Sequence, residues 1–169
     1  KNQKVKGKRS VVKPLMPHIT NIPLIGEHVV VVEYQGQHYY TCIINKKNSP
    51  NENSIPGVVS AYEDNTKYGK TFERKDIRRV EVCEGEIVYE GRFGNSIKLG
   101  CDHNTNSPII KIRSGQANLN ADVKDNLNLP TKESIDNDHS SIYLTSDGVS
   151  DIKLDGQTIG GKKILIKSD

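Results

Sequence analysis

The sequence has little of what builds a large hydrophobic core. It contains no tryptophan, two phenylalanines and one methionine, and 34% of its 169 residues are hydrophobic. Globular domains usually carry about 45–50% apolar residues, counted on a somewhat different residue list. We therefore expect a thin core, although the composition is far from that of a disordered chain.

Cysteines are few, and their spacing indicates no bridge or metal site. Cys42, Cys83 and Cys101 are an odd number without a Cys-x-x-Cys pair, which argues against a disulfide framework and a structural zinc site. Cys101-Asp102-His103 contains metal-ligating residue types, but no second cluster stands at ligand spacing. A polar turn is the better interpretation. The sequence predicts no metal site and no cofactor.

Long apolar runs and catalytic motifs are missing as well. No stretch approaches the roughly 20 apolar residues of a membrane span, and no signal peptide is visible, so no stable membrane insertion is expected. We find no nucleophile elbow, phosphate loop or nucleotide fingerprint. Glu84, Glu86 and Glu90 alternate along a predicted strand, on a side that we expect to face solvent. Carboxyl pKa values have little reason to move there, so we predict no catalytic residue and no enzyme activity.

Short apolar doublets are what the chain does have. Each places two apolar residues on one face of a strand and polar residues on the other, the period-two pattern of β-structure. The five are Ile97/Leu99, Ile110/Ile112, Ile142/Leu144, Ile152/Leu154 and Ile164/Ile166. Such thin strands bury little against themselves, so stacking or winding several chains together is the natural remedy. We predict a homotrimer interface formed by Ile142, Leu144, Ile152, Leu154, Ile164 and Ile166.

The first half of the chain also indicates strands. Val29–Val32 predicts a strand covered on both faces, Gln35–His38 a hairpin turn, and Tyr39–Ile44 the returning strand. Further strands are predicted near Ile87 and Ile97, and Pro108–Arg113 completes the group. Five or six strands with glycine-rich turns suit a small closed barrel, of which the OB-fold is the commonest five-stranded form.

These patterns predict an all-β protein with four segments. Residues 1–20 form a basic, proline-containing arm, and 21–115 an OB-like β-barrel. Residues 116–140 form a connector, in which the apolar spacing of Leu119, Val123 and Leu127 leaves a short helix open. Residues 141–169 begin an intertwined, trimeric β-helical needle. Because the sequence lacks an initial Met and stops in mid-pattern, we expect a piece of a longer polypeptide.

A nucleic-acid interpretation stays open beside the structural one. OB-folds bind single strands through aromatic platforms and a basic groove. The candidates are Tyr34, Tyr39, Tyr40, Tyr89 and Phe93 with Lys46, Lys47, Arg92 and Lys98. Several of these tyrosines lie in runs that a barrel needs for packing, and the excess of basic residues is concentrated in residues 1–13. Binding to nucleic acid is therefore the alternative, not the expectation.

Several stretches together resemble a known family. They are Ile22–Glu27 before the valine-rich strand, Glu84–Gly100, Pro108–Ile110 with Arg113–Gln116, and Ser140–Ser146. In these the chain resembles the baseplate central-spike protein of contractile-tailed bacteriophages. It is similar to the T-even-like hub and tail-lysozyme family, in its marine and cyanophage branch. The resemblance covers residues 20–169 and is most specific in 90–100 with 140–146.

This resemblance implies a virion protein of the tail baseplate, assembled in the host cytoplasm. Its barrel would dock on the hub protein, and its needle would be a homotrimer that pierces the host envelope during contraction, with a spike-tip protein as a further partner. The family's T-even member carries a lysozyme domain between barrel and needle. Residues 114–140 are far too short to hold one, so the family's lytic activity and lytic residues do not transfer to this chain.

Overall fold

The structure is a computed structural model that describes residues 12–24, 26–48, 77–116, 129–150 and 152–168. The chain divides into two compact units. The described residues up to Lys46 belong to the first unit, and those from Ile77 onward belong to the second. Within these ranges all regular structure is β-structure, without a helix, which confirms the all-β prediction. No helix in the described part of the chain has the length and apolar character needed to cross a membrane.

Ten strands are described. The first unit contains β1 (Lys13–Pro14), β2 (Val29–Tyr34) and β3 (Gln37–Ile43). The second contains β4 (Ile87–Glu90), β5 (Ser96–Cys101), β6 (Pro108–Arg113), β7 (Ser141–Thr145), β8 (Ile152–Leu154), β9 (Gln157–Ile159) and β10 (Lys163–Lys167).

The first unit is a three-stranded sheet in the order β1-β3-β2. The predicted turn is confirmed: Gln35 and Gly36 both have positive φ, 51° and 72°, as a tight hairpin turn requires. The prediction that the valine strand is covered on both faces is wrong. Val30, Val31 and Val32 are 42%, 45% and 37% exposed, and β2 is an edge strand of this three-stranded sheet.

The second unit is built on a five-stranded antiparallel sheet in the order β10-β7-β6-β5-β4. A separate β8–β9 hairpin lies between β7 and β10 along the chain. The sheet joins strands from the predicted barrel, β4 to β6, with strands from the predicted needle, β7 and β10. The finer predictions, a closed OB-like barrel and the start of an intertwined β-helix, stay predictions.

The core of the second unit is small and lies on one face of the sheet. Its buried residues are Ile109, Ile135, Tyr143, Val149, Ile152 and Leu165, with Leu154 and Ile159 packed against them. The sheet supplies Ile109, Tyr143 and Leu165, while the segments after β6 and β7 and the hairpin supply the rest. A parallel bridge between Val80 and Thr131 joins two of the chain segments outside the sheet.

Some predictions fall outside the described residues. They concern residues 1–11 of the predicted basic arm and the helix left open at Leu119, Val123 and Leu127.

Candidate functional site

The apolar doublets of β5, β6, β7 and β10 meet on one face of the five-stranded sheet. Strand pairing aligns them in two rows across all five strands. One row is Tyr89, Ile97, Ile112, Ile142 and Ile166, and the other is Ile87, Leu99, Ile110, Leu144 and Ile164. We call these ten side chains the apolar face. With strands about 4.8 Å apart, it extends roughly 19 Å across the sheet.

The apolar face is exposed. Its side chains on the edge strand β10, Ile164 and Ile166, are 69% and 70% exposed. Those on the interior strand β7, Ile142 and Leu144, are still 36% exposed. Single apolar residues on a surface are ordinary, but a contiguous apolar patch marks an interaction surface or a binding groove. The ten residues include no charged side chain, so the face offers hydrophobic contact across its whole width.

Two residues of the predicted trimer interface lie elsewhere. Ile152 is buried within its own chain, at 7% exposure, and Leu154 packs against the same core. Ile152 is therefore buried without a partner chain, whereas a trimer interface would have exposed it in the single chain. The reason is topological: β8 pairs with β9 rather than with the main sheet, and this hairpin contributes to the core on the opposite face.

The opposite face of the sheet carries charged residues whose side chains are buried or half-buried by the segments packed on it. Lys98 Nζ lies 2.8 Å from Glu86 Oε2 and 3.8 Å from Glu133 Oε2, and it donates a hydrogen bond to the backbone oxygen of Glu81 at 2.9 Å. Lys111 Nζ lies 3.9 Å from Glu133 Oε2 and stands over the Tyr143 ring. A thin core is thus completed by ion pairs in place of apolar side chains.

Burial changes the acid–base properties of this cluster. It raises the pKa of Glu133 against the opposing charges of Lys111 and Lys98, and it lowers the pKa of Lys111. The pKa of the Tyr143 hydroxyl is raised by burial and by the nearby Asp138 charge. These pKa shifts arise because paired charges lie in a poorly solvated layer. Structural ion-pair networks shift pKa values in this way as active sites do, so the shifts alone do not indicate catalysis.

The expectation that the acids around β4 face solvent is wrong for two of them. The Glu86 side chain is 3% exposed. Burial by itself would raise its pKa, but hydrogen bonds from Lys98 and the Cys83 backbone N–H bring that pKa below its ordinary value. Burial raises the pKa of Glu90, although its Oε1 accepts a hydrogen bond from the Val80 N–H at 2.8 Å. Sequence periodicity identified the face these acids share, but it does not say which face the chain covers.

Arg113 and Asp138 form the most deeply buried ion pair described. Arg113 Nη1 lies 3.2 and 3.3 Å from the two carboxylate oxygens of Asp138, and the two side chains are 0% and 6% exposed. Asp138 Oδ2 also accepts a hydrogen bond from the Ser134 N–H at 2.9 Å. This pair therefore ties the segment before β7 to the covered face of β6.

A cleft of about 190 Å³ opens beside this cluster. Its lining includes Lys98, Lys111 and Glu133, together with Cys83 and His103. His103 lies in the turn after β5, where Asp102 accepts hydrogen bonds from the N–H groups of Thr105 and Asn106 through its backbone oxygen. The predicted polar turn is therefore present from Asp102 onward, whereas Cys101 is the last residue of β5.

The candidate nucleic-acid residues differ widely in exposure. Lys98 is buried among carboxylates, and Tyr40 is buried in the first unit. Tyr89 belongs to the apolar face, where it is 61% exposed, and Phe93 is exposed in the turn after β4. In the second unit, the exposed aromatic rings thus lie on or beside a surface that is otherwise aliphatic.

Comparisons with protein-family models, with curated proteins and with solved structures found no match to this chain.

Proposed function

We propose that this chain is a structural subunit that assembles with copies of itself through the apolar face. The observation that carries the proposal is the alignment of ten apolar side chains in two exposed rows across five strands. Sheets that pack face to face place their apolar faces about 10 Å apart and interdigitate their side chains. The same face on further copies is also uncharged, so three copies arranged around one axis can turn their apolar faces inward and bury them together.

The energy available is of the right order for stable association. Fully burying a large aliphatic side chain stabilises by roughly 1.5–3 kcal/mol. The side chains of the apolar face are already partly covered, so about 1 kcal/mol each is a reasonable share, or roughly 10 kcal/mol per chain. The loss of translational and rotational freedom, which opposes association, is of similar size. Removal of a few contacts should therefore shift the equilibrium strongly.

The biological setting that we propose is the central spike of a contractile phage tail. The support is the resemblance carried by residues 84–100 and 140–146. These same stretches supply β4, β5 and β7, and with them six of the ten residues of the apolar face. In this setting the assembly is a homotrimer, its partners are the hub protein and a spike-tip protein, and its role is mechanical. The alternative, an OB-fold module for single-stranded nucleic acid, has weaker support because Lys98 is paired with Glu86.

The decisive experiment compares two Leu-to-Asp variants by size-exclusion chromatography with light scattering. Leu144→Asp places a charge within the apolar face, between Ile164 and Ile110, whereas Leu129→Asp places one at a residue that is 53% exposed and lies outside it. We expect the first variant to be monomeric and the second to assemble like the wild type. Both should keep the wild-type circular dichroism spectrum. Equal assembly of the two variants would contradict the proposal.

The phage setting has a test of its own. A spike needs a long needle, so any residues encoded after Asp169 should continue with Ile-x-Leu doublets every ten to twelve residues, as the last three doublets of this chain do. A downstream helical domain would contradict the mechanical role and favour an envelope-degrading enzyme.

A further inference from the structure

Three metal-ligating side chains from two segments meet beside the cleft, whose lining includes Cys83 and His103. One donor atom each of Cys83, Glu86 and His103 lies within 4.8 Å of the other two. Cys83 and Glu86 precede β4, and His103 follows β5. The antiparallel pairing of β4 with β5, in which Ile87 lies opposite Leu99, brings the two segments together.

The local backbone holds the first two residues in place. Cys83 to Glu86 form a tight turn in which the Glu86 N–H donates to the Cys83 oxygen at 3.1 Å, and Gly85 has a φ of 85°. The Cys83 N–H in turn donates to Glu86 Oε2 at 2.8 Å. Gly100 leaves room for the carboxylate, because a Cβ at that position would lie 2.4 Å from Glu86 Oε1.

One oxygen of this carboxylate has no hydrogen-bond partner. Oε2 accepts from Cys83 and lies against Lys98 Nζ, whereas Oε1 is buried and unsatisfied. Buried polar atoms nearly always have a partner, so an exception calls for an explanation such as an ion. Oε1 lies 3.6 Å from His103 Nε2, so it points toward the same space as the imidazole.

We propose that Cys83 Sγ, Glu86 Oε1 and a ring nitrogen of His103 bind a divalent cation of the zinc class. Thiolate, imidazole and carboxylate are the three side-chain donors that zinc accepts, whereas magnesium and calcium select oxygen ligands. A tetrahedral ion with bonds of about 2.0–2.3 Å needs donors roughly 3.3–3.8 Å apart. The His103 side chain is 54% exposed, so it can rotate by the small amount required.

The bound ion would join the turn at 83–86 to the turn at 102–106, with water in the fourth position. Lys98 then acts on the second oxygen of Glu86 and fixes the orientation of the carboxylate, as outer-sphere partners of metal sites do. Sequence spacing alone did not indicate this site, because Cys101 and Asp102 are not its ligands. It is also independent of the apolar face, which lies on the other side of the sheet.

Cobalt and zinc titrations of the full chain test the site. Metal is first removed with a chelator, and Co²⁺ is then added while thiolate-to-cobalt charge-transfer absorption is recorded. We expect one ion per chain in the wild type and in Cys101→Ser, which removes a thiol that lines the same cleft. Cys83→Ser should lose the charge-transfer band. His103→Ala should weaken Zn²⁺ binding at least tenfold in calorimetry, whereas His38→Ala, in the first unit, should leave it unchanged.

The thermal midpoint of unfolding is a second measurement, and it checks that the variants are folded. Zn²⁺ should raise the thermal midpoint of the wild type and of Cys101→Ser, because an ion that binds only the folded chain stabilises it. It should not raise that of Glu86→Gln. Retention of the band in Cys83→Ser, its loss in Cys101→Ser, or binding that is equally tight in His103→Ala would overturn the proposal. So would the absence of any Zn²⁺ binding to wild type whose circular dichroism spectrum is intact.

Discussion

Removal of Asp138 should be the most damaging single change on the covered face of the second unit. Its carboxylate is the partner of a guanidinium that is 0% exposed, and Arg113 Nε and Nη2 have no hydrogen-bond partner of their own. Breaking a buried ion pair by removing one member costs about 3–5 kcal/mol, because the remaining charge stays buried without compensation. The Ser134 N–H also loses its acceptor, which adds about 1 kcal/mol.

The predicted loss for Asp138→Ala is therefore about 4–6 kcal/mol, a large part of the roughly 5–15 kcal/mol that stabilises a typical domain. Urea unfolding followed by circular dichroism at one protein concentration measures it. With a urea dependence of about 1–3 kcal/mol per molar, the midpoint should fall by at least about 1.3 M. The matched control is Asp147→Ala. Asp147 is 81% exposed and its partner Lys162 is 75% exposed, so this variant should lose less than about 1 kcal/mol of stability.

A double variant separates the pair from its surroundings. Arg113→Met with Asp138→Leu removes both charges and should recover most of the loss, since apolar replacement of a whole buried pair is often nearly neutral. If Asp138→Ala loses no more stability than Asp147→Ala, water reaches the covered face and the charge of Arg113 is not left buried without compensation.

Three further predictions concern other residues. Tyr143→Phe should leave stability unchanged or raise it by up to about 1 kcal/mol in urea unfolding, because the buried hydroxyl has no hydrogen-bond partner; a loss above about 1 kcal/mol would indicate a missed partner. The pKa of Glu90 in the folded state lies above its ordinary value of 4.5, so the free energy of unfolding falls as the pH rises from that value through the raised pKa. The stability of Glu90→Gln relative to the wild type should therefore increase across this pH range. A difference in stability that does not change with pH would refute the pKa shift. Binding of a labelled single-stranded oligonucleotide should be weak in fluorescence anisotropy and fade steeply with salt; sub-micromolar binding that survives removal of residues 1–13 would favour the nucleic-acid alternative.

The sequence allowed the strands and their apolar faces to be predicted, because period two depends only on the alternation of neighbouring residues. Ile97, Leu99, Ile142 and Leu144 were correctly placed together on apolar faces of strands. The hairpin at Gln35 and Gly36 was predictable for the same local reason, because a tight turn depends on the types of the adjacent residues that form it.

What the sequence could not reveal was which face the chain covers. That depends on segments far apart along the chain: Ile135 and Val149 pack over the polar side of the sheet, together with Glu133 and Asp138 as partners for its cations. The same long-range pairing brings His103 to Cys83. A Cys-x-x-Glu turn with a distant histidine has no distinctive spacing, and the cluster becomes recognisable only once β4 is paired with β5.

Sedimentation equilibrium of the wild-type chain tests the central claim most directly. If the apolar face holds copies of the chain together, the measured mass should approach three times the 18.8 kDa of one chain, and Leu144→Asp should return it to that of a single chain. A wild type that stays monomeric across the accessible concentration range would contradict assembly through this face.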